Sequence, residues 1–392
     1  MKEVLELAKQ VSEAPDEASA LLSQFVEEHT FPIVDEDTAT FFFWDRETPP
    51  ESVVLIHWVF GLESRQTFIP LEGTDAWYLP LELPSRARVE YKLEVVRNDQ
   101  RQWIRDPLND RRAFDPFGSN SVCPMQGYRE PLWVEEDADS RQGRLECLPI
   151  RSQVFGELRE VRVYTPAEYR ATKRYPLLIC HDGGDYLRFA RMGTILDNLV
   201  HRREVAPLVV IFTDGGERNI EYGANPKQAK FLVEEVIPTI RRRYGISEDA
   251  ADIGCMGASF GAVASLYAAC EYPGVFGRLL LQSGSFAFTD VGSHDRGPLF
   301  DPVVEFVNTF RGDPAQIERG ESGRQPVRIF LSCGTFESLI YYNRSLLPRL
   351  RRSGLEVQYR ESPDGHNWIN WRNRLRDGLS WLFPGRLWMY YE

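Results

Sequence analysis

Hydrophobic and polar positions change their rhythm twice along this chain. Between Lys2 and His29, Leu5, Ala8 and Val11, then Ala18, Leu21, Leu22 and Phe25, recur at helical spacing, with Pro15 between the two groups and Pro32 at the exit. That spacing predicts two short helices. From Thr38 to about Val122 the apolar runs shorten to Phe41–Trp44, Val53–Val59, Trp77–Leu79 and Val89–Val95, separated by Pro49-Pro50, Gly61, Gly73-Thr74-Asp75 and Pro84-Ser85. Val89, Tyr91, Leu93 and Val95 alternate with Glu90, Lys92 and Glu94, the period of two of a half-exposed strand. Short strands punctuated by turn residues predict a β-sandwich. Asp106 to Asp139, rich in Pro, Asp, Gly and Ser, reads as an ordered but irregular connector.

From about Arg144 strand and helix patterns alternate. Strands are predicted at Leu158–Tyr164, Pro176–Cys180, Leu208–Thr213, Ile253–Met256, Arg278–Gln282, Val327–Ser332 and Glu356–Glu361. Helices are predicted at Gly193–His201, Lys227–Tyr244, Phe260–Glu271, Pro302–Phe310, Asn343–Ser353 and Trp368–Leu382. Continuous apolar strands such as Leu208-Val209-Val210-Ile211-Phe212 suit a parallel sheet covered on both faces, and the alternation predicts a doubly wound α/β domain. The expected organisation is a helical segment (1–30), a β-sandwich (31–125), a connector (126–143) and an α/β domain (144–392).

Open α/β sheets place their sites at the carboxyl ends of strands. At one such end stands Gly257-Ala258-Ser259-Phe260-Gly261, a G-x-S-x-G signature between the strand Ile253–Met256 and a helix-forming run Ala262–Cys270. Strand, sharp turn and helix are the context of a nucleophile elbow, whereas a bare motif match in a loop means little. A serine hydroxyl needs a base, and the base an orienting group. In the α/β-hydrolase plan the chain order is Ser, acid, His. Of the two histidines after Ser259, His366 follows the last predicted strand, while His294 sits in a polar loop and reads as a surface residue. The acid should follow the penultimate strand, where Glu337 stands. Glu337 is the acid this reading selects, a helix N-terminal charge being the alternative explanation of that residue. Asp364 competes but is very near His366, and Asp313 reads as a turn residue. The N–H of Phe260 is the first oxyanion donor expected, and Gly184, in His181-Asp182-Gly183-Gly184, the second. His181 precedes Ser259 and reads as structural. Arg218, Glu221 and Asn225 follow another strand end. They either bind substrate or cap and salt-bridge the helix near Lys227. Trp368 and Trp371 either wall the site or belong to the core.

Composition narrows the classes. Forty-six Lys and Arg against 58 Asp and Glu give a net charge of -12, which opposes binding through a phosphate backbone and lends nothing to docking on anionic membranes. The six cysteines form no C-x-x-C pair, so neither a disulfide framework nor a zinc site is expected. No cofactor is expected either. No apolar stretch approaches the roughly 20 residues of a membrane span, and the acidic N-terminus lacks a signal-peptide core. A cytoplasmic setting is the expectation.

The segments LLICHDGGDYL, ERNIEYGANPKQAKFLVEEVIPTIRRRYGI, GASFGAVASLYAACEYPGVFGRLLLQSGSF, GTFESLIYYNRSL and DGHNWINWRNRL resemble the putative-esterase family of α/β-hydrolases, most nearly its enterochelin (ferric enterobactin) esterase branch. TFPIVDEDTATFFFWD resembles the start of that branch's N-terminal immunoglobulin-like module, and the resemblance covers nearly the whole chain, with the Asp106–Asp139 stretch matched least. It implies ester hydrolysis by a serine, a histidine and an acid, which motif matching carries onto Ser259, His366 and Glu337. It also implies a small-molecule substrate, the serine trilactone of a catechol siderophore. Relatives with the same catalytic domain cleave feruloyl or acetyl groups from polysaccharides, hydrolyse S-formylglutathione or transfer mycolyl groups, and fold alone does not choose among them. A non-catalytic binding protein on the same scaffold is a further alternative. The acidic chain shows no evident basic pocket for an anionic siderophore beyond Arg188, Arg191 and Arg218.

Overall fold

Alternation along the first strands sorts their side chains between two cores. The computed structural model describes residues 1–290, 292–313 and 327–386. Helices α1 (Lys2–Glu13) and α2 (Ala18–Glu28) precede strands β1 (Ile33–Asp35) and β2 (Thr38–Trp44). Phe42 of β2 joins Val4, Leu7, Val11, Leu22 and Phe25 of the two helices. Its neighbours Phe41 and Phe43 face the other way, into a core shared by two sheets. One sheet has the order β1-β2-β6-β5, with β5 at Ile69–Pro70 and β6 at Ala76–Glu82. The other runs β4-β3-β7-β10-β9, with β3 at Ser52–His57, β4 at Arg65–Thr67, β7 at Arg88–Arg97, β9 at Arg112–Asp115 and β10 at Gly118–Pro124; β8 (Gln100–Ile104) pairs with β7. The predicted alternation in β7 holds, for Val89, Tyr91, Leu93 and Val95 all lie in the shared core.

Part of the stretch read as irregular is therefore a hairpin: β9 and β10 pair antiparallel, and β10 pairs with β7. Its polar residues hid it. Ser121 and Asn120 are buried, with the Ser121 hydroxyl accepting the Asp106 N–H at 2.9 Å and the Asn120 amide donating to Glu90 at 2.9 Å.

The chain forms two compact units. The first holds Met1–Glu130 together with two short later segments, Gly334–Glu337 and Ser362–Asn367; the second holds the remainder from Pro131 on. The second unit contains a sheet of order β11-β12-β14-β13-β15-β16-β17-β18. Its strands are β11 (Arg144–Arg151), β12 (Leu158–Thr165), β13 (Leu177–His181), β14 (Val209–Thr213), β15 (Ile253–Ala258), β16 (Arg278–Gln282), β17 (Arg328–Gly334) and β18 (Glu356–Ser362). Strands β14, β13, β15, β16 and β17 pair parallel. Each face carries its own core. Leu177, Ile179, Val209 and Ile211 pack in one cluster, while Leu178, Cys180, Val210 and Phe212 pack in the other. That is why these strands read as continuous apolar runs.

Helices α3 (Gly183–Arg188), α4 (Met192–His201), α5 (Arg218–Tyr222), α6 (Pro226–Lys230), α7 (Ile237–Arg243), α8 (Phe260–Glu271), α9 (Asp301–Gly312), α10 (Ile340–Arg352) and α11 (Trp368–Leu382) complete the unit. The helix predicted over Lys227–Tyr244 is observed as α6 and α7 joined by a π-helical turn at Phe231–Val236. Pro238 just beyond that turn has no N–H and crowds the carbonyl four residues back, and widening one turn relieves both. Among the described residues no helix is long and apolar enough to cross a membrane.

Candidate active site

Ser259 leaves β15 and caps α8 with φ 58° and ψ −119°. A positive φ is uncommon for a side-chain-bearing residue and holding it costs on the order of 1–3 kcal/mol. The flanking glycines make the turn possible. A Cβ on Gly257 would meet backbone atoms of Gly261 at 2.5, 2.6 and 2.8 Å, and one on Gly261 would lie 3.3 Å from the Cβ of His181. The Ser259 N–H donates to the Gln282 carbonyl at 2.9 Å, and its hydroxyl is 3.1 Å from that of Ser285. Phe260, the first residue of α8, has a backbone N–H without an intrahelical acceptor.

Two strands along the same sheet, β17 ends at Gly334 and the chain turns through Glu337; β18 ends at Ser362 and the next loop carries His366. Nδ1 of His366 lies 2.7 Å from Oε2 of Glu337. The carboxylate is fully buried, whereas the imidazole is 38% exposed. The other carboxylate oxygen accepts the Gly334 N–H at 2.7 Å, so the acid is anchored from behind. With Nδ1–H donating to Glu337, the neutral ring presents Nε2 as the basic atom. Asp364, the competing acid, accepts from the Gly365 N–H at 2.7 Å and the Asn367 amide at 2.8 Å, and faces Arg88 at 3.5 Å. Burial raises its carboxyl to about 6 against the pull of Arg88.

Several expected residues serve the scaffold instead. The Gly184 N–H donates to Asp214 at 2.9 Å, which takes it away from an oxyanion. Gly183, the first residue of α3, has an N–H with no intrahelical acceptor. Glu221 is buried. Its carboxylate takes Arg159 at 2.7 and 3.0 Å and the N–H groups of Gly216 and Glu217 at 3.1 and 3.2 Å. That set leaves it holding the loop after β14 rather than a substrate. Asn225 caps α6 by accepting the Lys227 N–H at 2.9 Å, the capping alternative of the two the sequence left open. Arg218 grips the buried carboxylate of Asp182 through Nε and Nη2, each at 2.6 Å. Arg191 pairs with Glu135 at 2.8 Å, and Arg188 lies 5.0 Å from the Phe189 ring centroid. Trp368 is core: it packs edge-on to Tyr186 and Trp371 at 5.2 and 4.8 Å. His294 is half-buried and paired with Asp301 at 3.0 Å.

The family model described as "Putative esterase" matches residues 152–382. The chain belongs to this esterase family. Among curated relatives, the iron(III) enterobactin esterase of Escherichia coli O6:H1 (strain CFT073) is 27% identical over 80% of this chain and 74% of its own length. That of Dickeya dadantii is 24% identical over 82% of this chain and 80% of its own. Among solved structures, the ferric enterobactin esterase of Salmonella typhimurium has the same fold, with a TM-score of 0.73 and 23% identity over 89% of this chain and 95% of that one. A ferulic acid esterase superposes with a TM-score of 0.52 over 62% of this chain.

Sequence reasoning missed what supports the esterase's elbow. The buried Tyr186 hydroxyl donates to Gln282 at 2.7 Å, the Gln282 amide donates to the Trp371 carbonyl at 2.8 Å, and the Trp371 indole donates to Ser283 at 2.9 Å. Gln282 also receives the Ser259 N–H. The signal was available in Gln282-Ser283-Gly284-Ser285, a polar run at the carboxyl end of the strand beside the elbow strand.

Proposed function

We propose that this family member is a serine esterase in which Ser259 is the nucleophile, His366 its base and Glu337 the orienting acid. The observation that carries the reading is the buried Glu337 carboxylate 2.7 Å from His366 Nδ1, in the chain order Ser, acid, His that the elbow motif demands. The strained turn at Ser259 supports it. In this scheme Nε2 of His366 takes the Ser259 proton as Oγ attacks the ester carbonyl. The carbonyl oxygen becomes an oxyanion held by the N–H groups of Phe260 and Gly183, each worth about 10²–10³ in rate. Collapse expels the alcohol, which receives the proton from His366 and leaves an acyl group on Ser259. Water then attacks the acyl-enzyme by the same proton route and restores the serine.

The substrate we propose is an enterobactin-type siderophore ester, and the β-rich first unit is then the immunoglobulin-like module of that branch, with a cytoplasmic setting. Coverage favours this choice: matches to enterobactin esterases span 80% or more of this chain, while the ferulic acid esterase spans 62%. Side-by-side hydrolysis of a catechol trilactone, methyl ferulate and acetylated xylan tests it. The trilactone is expected to have the highest kcat/KM; preference for either of the others would replace this substrate class. Ser259→Ala and His366→Ala are each expected to abolish p-nitrophenyl acetate turnover, because the members of such a set act as one unit.

A further inference from the structure

The loops that carry Glu337 and His366 are held by the first unit's own strands. Both segments, Gly334–Glu337 and Ser362–Asn367, belong to the compact unit of Met1–Glu130. They are stitched together by Thr335 N–H to the Ser362 carbonyl at 2.8 Å and Phe336 N–H to the Asp364 carbonyl at 3.2 Å. Phe336, next to the acid, is buried in the core shared by the two sheets of that unit, and its carbonyl accepts the Phe60 N–H at 2.8 Å.

On the other loop the anchor is Arg88, at the start of β7. Its backbone N–H donates to the Pro363 carbonyl at 3.0 Å. Its guanidinium is buried, with one arm 2.9 Å from Glu90 and the other 3.3 Å from the Asn367 amide oxygen and 3.5 Å from Asp364. Glu90 is held in turn by Asn120 at 2.9 Å. Residues 364 and 367, on both sides of His366, thus hang on one side chain of the β-unit, and residue 363 on the backbone of the same arginine. A guanidinium fork fixes direction as well as charge, which a buried ammonium would not.

We propose that Arg88 is a positioning residue for the esterase reaction: it sets the orientation of the His366 loop from the β-unit, so that the β-unit acts in turnover rather than only in stability. This rests on His366 being the base, as proposed above. Misplacing a reacting group by about 1 Å can cost 10²-fold in rate. Arg88→Met is therefore expected to lower kcat for p-nitrophenyl acetate, per folded molecule, by about 10- to 100-fold with KM little changed. Arg88→Lys keeps the charge and not the fork, and is expected to fall between, about 3- to 10-fold down. Removing one member of a buried ion pair leaves the others uncompensated, so if Arg88→Met does not fold, Arg88→Lys alone decides. Arg97→Met, at the far end of the same strand and paired with Asp45 at 2.6 Å, is the control and should match wild type. A folded Arg88 variant with kcat within about 2-fold of wild type overturns the proposal while Ser259→Ala and His366→Ala remain inactive. If those two variants turn over normally, the reading beneath it falls as well.

Discussion

At the scale of single residues, the contest between two carboxylates is a matter of direction. Glu337 points its buried carboxylate at His366, while Asp364 spends its lone pairs on Gly365, Asn367 and Arg88. Glu337→Gln should thus cut kcat by about 10²- to 10⁴-fold, on the precedent of acid-to-amide changes that upset the histidine tautomer. Asp364→Asn should cost clearly less, and steady-state kinetics on an ester showing the reverse order would move the acid to Asp364. His181 makes a different prediction. It is buried, with Nδ1 3.1 Å from the Met256 carbonyl and from the Ser265 hydroxyl, which itself donates to the Gly261 carbonyl. Both neighbours therefore accept, so Nδ1 carries the proton and the ring is neutral. Burial lowers its pKa from 6.5 to about 4. Above pH 6.5 the neutral form prevails in folded and unfolded chains alike, and the contribution is intact. As pH falls through 6.5 toward 4 the unfolded chain takes up a proton that the folded chain refuses, so about 3 kcal/mol is lost. Denaturant titrations of His181→Gln between pH 7 and 4.5 should show a flatter slope than wild type; equal slopes would contradict this.

At the scale of elements, boundaries were legible where local chemistry sets them. Arg278–Gln282, Phe260–Glu271 and Trp368–Leu382 have the bounds that periodicity and flanking breakers predict. The β9–β10 hairpin was not legible, because its buried polar residues are satisfied by partners brought in from β7 and Asp106. The same cause left Gly184 misread and Glu221 open between two alternatives: their partners, Asp214 and Arg159, stand tens of residues away. Ser259, Glu337 and His366 stand out as candidates because a motif and a chain order single them out, and of these the Glu337–His366 contact is seen in the structure. The elbow gives a direct test. Gly257→Ala places a methyl within 2.5–2.8 Å of the Gly261 backbone, so the turn must open. Overpacking of this kind costs about 1–3 kcal/mol. Thermal unfolding should show a lowered midpoint, and turnover should fall further than the loss of folded protein explains. A variant unchanged in both would mean that the turn is not tight.

At the scale of the whole chain, the division into an α/β part and a β-rich part was visible in the change of rhythm from period two to alternating strand and helix. What no pattern revealed is that two short segments far along the chain, 334–337 and 362–367, join the compact unit of the first 130 residues. Contacts such as Arg88 with Asp364 span 276 positions and leave no local trace. The central claim, a serine activated for acyl transfer, is tested most directly by covalent labelling. A fluorophosphonate probe followed by peptide mass spectrometry should modify Ser259 in the wild-type protein, fail to label Ser259→Ala, and react far more slowly with His366→Ala. Undiminished labelling of Ser259→Ala, or a modified residue other than Ser259, would contradict the account.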